Sequence, residues 1–186
     1  QALIDTLRYN EHLSINGVDI SLHPAGHLLG SSQVRVSHRG TTWVVTGDYK
    51  LQNDFTCDCF ESVPCDVFVT ESTFGLPVYR WPAPETVAHE INTWWKANAD
   101  SGRTCVLLAY ALGKAQRLAS LLDPSIGPIY GHGAVMKLVE AYRASGVRLP
   151  PINRIPPNSR KIGGGRGIVI APPSAAATTW INRFGE

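Results

Sequence analysis

The sequence is short of charge. Asp, Glu, Lys and Arg make up 17% of the 186 residues, against about a quarter in ordinary folded domains. With 44% hydrophobic residues, this excludes a solvated, disordered tail and leaves enough apolar material for a core. Neither sign of charge dominates. The formal net charge is +2 and the pI about 8.4, which permits a polyanionic partner without demanding one. No uninterrupted apolar run approaches the roughly 18 residues that a membrane helix needs. No charged, apolar and small-residue signal pattern opens the chain either, so a soluble cytoplasmic protein is expected. Cysteine is also scarce, and Cys57, Cys59 and Cys65 cluster without the two-residue gap of a zinc knuckle or a suitably placed histidine. Together with Cys105 they read as ordinary reduced thiols.

What is present gathers in three places. The first is His23-Pro-Ala-Gly-His27-Leu-Leu-Gly30-Ser31-Ser32. Gly26 and Gly30 bracket His27, so the backbone can turn sharply on both sides and present that ring outward. The second is Thr46-Gly47-Asp48-Tyr49-Lys50, in which Asp48 follows the apolar run Trp43-Val44-Val45-Thr46. A carboxylate at the mouth of a buried strand is costly unless a positive charge meets it, and a metal ion held by His27 and Asp48 would meet that cost. A hydrogen-bonded turn histidine and a turn or helix-cap aspartate fit the spacing equally well. The third is Glu71, which ends Val67-Phe68-Val69, read as another buried strand, beside two hydroxyl residues. Its alternative role is a capping or loop carboxylate.

The elements follow from local pattern. Asn16-Gly17 between Glu11–Ile15 and Val18–Leu22 predicts a hairpin with a two-residue turn. Residues 33–37 pair with 41–46 across His38-Arg39-Gly40, so the candidate ligands leave the same ends of neighbouring strands. Leu76 to Pro84 carries prolines and is extended. Glu85 to Ala99 is an amphipathic helix with Pro84 in its first turn and with Trp94 and Trp95 as packing residues. Strands at 104–110, 128–130 and 167–171 alternate with helices at 113–122 and 134–145, the second closed by Gly146. That alternation predicts a parallel sheet covered by helices. Arg148 to Gly167, basic and ending in three glycines, reads as a loop or linker, and a short helix runs from Pro172 to Asn182.

Taken together, Ala-Gly-His27-Leu-Leu-Gly-Ser, Gly-Asp48-Tyr-Lys and Thr-Glu71-Ser-Thr-Phe-Gly resemble the metallo-β-lactamase superfamily and its nucleic-acid-processing β-CASP branch. The chain is most similar there to bacterial ligase-associated DNA exonucleases, relatives of Artemis and of the messenger-RNA 3′-end processing endonuclease. Tyr110-Ala-Leu-Gly-Lys-Ala-Gln116, Tyr130-Gly-His-Gly-Ala134, Ala171-Pro-Pro-Ser-Ala175, Trp180 and Arg183-Phe-Gly185 extend the resemblance over nearly the whole chain.

The resemblance implies an α/β fold: a partial αββα lactamase sandwich at 1–75, a β-CASP cap with a Rossmann-like sheet at 76–166, and a return to the first domain at 167–186. It implies a nuclease using two zinc ions, with manganese as the alternative, acting on DNA, with an ATP-dependent DNA ligase as a partner; the alternatives are an RNA-processing nuclease of the same branch and a non-catalytic module that binds nucleic acid or a protein. His27 would be a metal ligand, Asp48 a carboxylate bridging both metals, and Glu71 an acid that orients a catalytic histidine. Lys114 and His132 would contact substrate, while His23 would play a supporting or structural part. The family's His-x-His-x-Asp-His run and its closing histidine motif are not found between Gln1 and Glu186. The chain is therefore expected to be the middle of a longer protein, metal-poor and inactive by itself.

Overall fold

A computed structural model describes residues 4–157, 159–182 and 184. The chain forms two compact units, one running to Arg80 and one from Trp81. Arg183 and Gly185 of the Arg-Phe-Gly motif lie outside the described residues.

The first unit is one mixed sheet of five strands in sequential order, β1 (His12–Ile15), β2 (Val18–Pro24), β3 (Ser32–His38), β4 (Thr41–Val45) and β5 (Val67–Val69). β1 to β4 are antiparallel and β5 runs parallel to β4. Asn16 and Gly17 both have positive φ, 51° and 79°, which makes the two-residue turn whose twist matches its strands. Arg39 and Gly40, at 49° and 83°, repeat the device between β3 and β4.

Register sorts the side chains of this sheet cleanly. Leu13, Ile20, Val36, Trp43 and Val67 stand opposite one another along one face, while Ser21, Arg35, His23 and Gln33 occupy the other. It is the polar face that is covered. Ser21 and Gln33 are fully buried, and the Gln33 amide donates to the carbonyls of Pro24 and Glu61 at 2.9 and 2.6 Å. On the apolar face Trp43, Val45 and Val69 remain more than 40% exposed. This corrects the expectation that Val67-Phe68-Val69 is a buried strand: Val69 is 43% exposed on this face, and Phe68, in register with Val44 and Arg35 on the other, is 46% exposed. The first unit contains no helix among its described residues. Hydrophobic composition reports the wish for a cover, not the cover itself.

The loop over the polar face is tied by Asp54, which accepts from the Lys50 ammonium and from the hydroxyl and amide of Thr56. Burial pushes the Asp54 carboxyl up, but these donors outweigh it and hold the group below its ordinary value. A depressed folded value means that the tether contributes stability above the unfolded value near 3.8 and loses it as pH falls through the lower folded one. Acidification below about pH 4 should therefore release residues 50–61 first. Amide hydrogen exchange should show the Thr56 N–H losing protection before the β2–β3 ladder does.

The second unit alternates helix and strand. Its elements are α1 (Pro84–Asp100), β6 (Cys105–Leu108), α2 (Lys114–Leu121), β7 (Ile129–Gly131), α3 (Gly133–Ala144), β8 (Ile152–Arg154) and β9 (Ile168–Ala171). The sheet order is β6-β9-β7-β8 and every pairing is parallel. The last strand therefore slots between earlier ones, and all four of its residues are buried. Trp95 is fully buried and its indole donates to the Arg166 carbonyl at 2.9 Å. Trp94, also expected to pack, is instead 43% exposed, because adjacent helical residues point about 100° apart.

Residues 148–167 are not a free basic linker. They hold β8 and a 3-10 turn at Ile162–Gly165. A Cβ on Gly165 would meet the Gly102 carbonyl oxygen at 2.3 Å, and one on Gly163 would meet the Pro128 ring at 2.4 Å. Gly163 and Gly165 thus permit close approach of their neighbours, while all three glycines have positive φ. Two of the basic groups are engaged nearby, Arg154 with Glu140 and Arg166 with Asp100. The closing helix comes in two pieces, a 3-10 turn at Pro173–Ala177 and α4 (Thr179–Asn182), divided at the extended Thr178. Among the described residues no helix is long and apolar enough to cross a membrane.

Candidate metal centre

His27 sits in a loop that leaves β2 and returns as β3. Gly26 and Gly30 have φ of 71° and 77°, and the Ser31 hydroxyl accepts from the His27 and Leu28 amides, both at 3.1 Å. Backbone hydrogen bonds fasten this loop to its neighbours: Lys50 N–H donates to the Ala25 carbonyl at 3.0 Å and Glu61 N–H to the Pro24 carbonyl at 3.1 Å. Gly26 lies in the seam, where a side chain would strike the Lys50 oxygen and the Phe60 nitrogen. Asp48 follows β4 through Gly47, at φ 57°, and the Thr46 N–H donates to the Val69 carbonyl at 3.0 Å. That bond carries the β4–β5 pairing up to the positions from which Asp48 and Glu71 depart.

The result is that His27 Nε2 faces Asp48 Oδ2 at 3.9 Å, with the two side chains 37% and 74% exposed. Two donors on one tetrahedral zinc, each about 2.1 Å from it, stand about 3.4 Å apart, so the pair needs to close by only about half an ångström. Glu71 is beside them. Its carboxyl is held below the ordinary range first by the Thr73 amide, which donates at 2.8 Å, then by the Thr73 hydroxyl. Slight burial opposes this, and the His27 charge and the Tyr49 amide add to the lowering. One imidazole and two carboxylates thus share one edge of the first unit.

One expectation changes here. Asp48 is open to solvent, so no desolvation cost compels a cation at that position, and its suitability rests on facing His27. His23, on the covered face, places Nδ1 2.9 Å from Glu61 Oε1 and Nε2 3.0 Å from the Ser21 hydroxyl. It ties β2 to residue 61 and takes a structural part. The Glu61 partner, 38 residues away, carried no local signal.

Lys114 and His132 belong to the second unit. The Lys114 ammonium stands 5.0 Å above the ring of Tyr110, which is 63% exposed. His132 caps α3, its Nδ1 accepting from the Ala134 amide at 3.2 Å, and its ring meets Trp180 edge to face at 4.8 Å. All four cysteines are free thiols. Burial pushes the Cys57 thiol up to about 11, so it stays protonated near neutral pH.

The donor set can be tested against a metal directly. Among the described residues no group of three or more His, Cys, Asp and Glu is arranged to hold an ion. A catalytic zinc takes three protein donors plus water. His27 and Asp48 suit that chemistry in type and spacing but are too few to close a site by themselves.

No family model matches the chain. Curated relatives do. A probable DNA ligase from Opitutus terrae is 30% identical over 167 residues, covering 89% of this chain and 16% of that protein. Endoribonuclease YSH1 from Eremothecium gossypii is 30% identical over 124 residues, 64% of this chain and 16% of that protein. Cleavage and polyadenylation specificity factor 73 from Drosophila melanogaster is 30% identical over 122 residues, 64% of this chain and 18% of that protein. The chain thus spans about a sixth of the length of these relatives.

Proposed function

We propose that this chain, a relative of the β-CASP branch of the metallo-β-lactamase superfamily, is the centre of a metal-dependent nuclease that hydrolyses DNA phosphodiester bonds. The observation that carries the proposal is the imidazole and carboxylate of His27 and Asp48 facing each other at 3.9 Å beside Glu71. His27 and Asp48 would supply two of the metal ligands. A bound divalent metal supplies Lewis acidity and a nucleophile available near neutral pH. Glu71, ionised by its Thr73 contacts, would hold a positively charged or proton-donating group in place by accepting a hydrogen bond from it. The exposed Lys114 and its neighbour Tyr110 would meet the strand through its phosphates and bases.

DNA is favoured because the match to the protein named a probable DNA ligase runs over 89% of this chain, against 64% for the endoribonuclease. The name of that relative supports a functional link to a DNA ligase. RNA is the second reading, supported by the endoribonuclease names among the relatives. The test uses the full-length protein with DNA and RNA strands of one sequence in zinc or manganese. DNA should be degraded about tenfold faster or more, a preference of about 1.4 kcal/mol, and chelation should stop it. Faster cleavage of RNA would overturn the DNA assignment, and cleavage of neither would overturn the nuclease.

A further inference from the structure

Just past Glu71 the chain carries apolar groups where a folded protein ordinarily hides them. Phe74 is 55% exposed, Leu76 65%, Val78 74% and Tyr79 45%. Scattered apolar residues on a surface need no explanation, but a contiguous run marks a recognition surface. This run is also ordered. Gly75 N–H donates to the Ser72 carbonyl at 3.0 Å and Tyr79 N–H to the Leu76 carbonyl at 3.2 Å, giving two successive turns. Pro77 lies within the second of them and fixes its own φ. The rings of Phe74 and Tyr79 meet edge to face, with centroids 5.1 Å apart and planes at 77°. The segment's start is pinned to the candidate centre by the Thr73 amide on the Glu71 carboxylate. Phe74 is three residues from Glu71 and so can lie no more than about 11 Å from it along the chain.

We infer that Phe74 and Tyr79 form a stacking edge for unpaired bases, which feeds single-stranded DNA to the His27, Asp48 and Glu71 cluster; this rests on the nuclease reading above. Rings whose planes stand 77° apart can each receive a base face only if the bases are splayed from one another and turned out of a duplex, since a duplex offers base edges and hides base faces. Stacking of this kind tolerates any sequence, as a processing nuclease requires. Arg80, exposed at the end of the segment, supplies a cation for the adjoining phosphate.

The test is equilibrium binding to the full-length protein in chelator, so that the strand stays intact. The probes are a fluorescent oligothymidylate, an abasic strand of equal length and charge, and a blunt duplex. Wild type should bind the oligothymidylate about tenfold tighter than the abasic strand. Phe74→Leu with Tyr79→Leu, which keeps apolar volume and removes both π-faces, should erase that preference and leave abasic binding unchanged. Phe74→Trp with Tyr79→Trp should retain it. Equal binding of the two single strands by wild type, tighter binding of the duplex, or a preference that survives the leucine pair would each overturn the stacking edge. So would a leucine pair that loses abasic binding in step. If the protein cuts nucleic acid yet lacks the base preference, only the edge falls; if it cuts none, the nuclease reading falls.

Discussion

Asp48→Ala in the full-length protein is expected to lower the rate of phosphodiester cleavage by about a thousandfold or more while leaving the melting temperature nearly unchanged. Metal-centred stabilisation of developing charge is worth several kcal/mol, and about 4 kcal/mol corresponds to three orders of magnitude. The fold has little at stake in this side chain. It is 74% exposed and faces His27 at 3.9 Å, and exposed substitutions of this kind change stability by about 0.5 kcal/mol or less. Asp58→Ala removes another exposed carboxylate, from the loop over the polar face, and should leave cleavage unaffected. Cutting that persists in Asp48→Ala, or a collapse of the fold with it, would contradict the assignment.

Gly26→Ala should have the largest effect on stability of any single methyl group added to the first unit. The new Cβ would sit 2.3 Å from the Lys50 carbonyl oxygen and 2.9 Å from the Phe60 nitrogen, at a φ of 71°. Both neighbours are backbone, and both flank hydrogen bonds that fasten the His27 loop. A left-handed conformation alone costs a non-glycine residue about 1 to 2 kcal/mol. Forcing apart two pinned backbone segments should bring the total to about 3 kcal/mol or more. Gly30→Ala separates the two contributions. Its φ is 77° but nothing lies within 4 Å of the added atom, so only the conformational cost of about 1 kcal/mol should appear. Urea unfolding midpoints of the two variants should differ accordingly, and Gly26→Ala should lose metal-dependent cleavage because His27 and Asp48 no longer face each other.

These two residues mark where the sequence was and was not legible. Turn chemistry is local, so Asn16-Gly17 could be read as a hairpin and Pro84 as a helix start, and the structure has them so. The alternation that predicts a parallel sheet is also local, and β6, β7 and β9 are found within it. β8 escaped because three residues, one of them buried, give no period to recognise. The glycines at 163–165 read as the end of a loop or linker, since nothing in their own neighbourhood announces that Pro128 presses against Gly163 and Gly102 against Gly165. Trp43 and Phe68 were read as buried because hydrophobicity is written in the sequence and its covering is not.

The candidate centre divides in the same way. Glycine-bracketed His27 and strand-ending Asp48 and Glu71 could be picked out one by one. Their meeting depends on the β2-β3-β4-β5 order and on the Thr46 to Val69 bond, which are properties of pairing. The tie between His23 and Glu61, and the Ser31 hydroxyl that cradles the His27 amide, are likewise consequences of the fold.

The most direct measurement is manganese titration of the full-length protein, isotopically labelled, followed by paramagnetic broadening of its backbone amides. At the lowest additions the signals of residues 26–30, 47–50 and 71–73 should vanish together, ahead of those in α1 or β8. Broadening that begins around Cys57 and Cys59, or that reaches His27 without Asp48, would contradict the account.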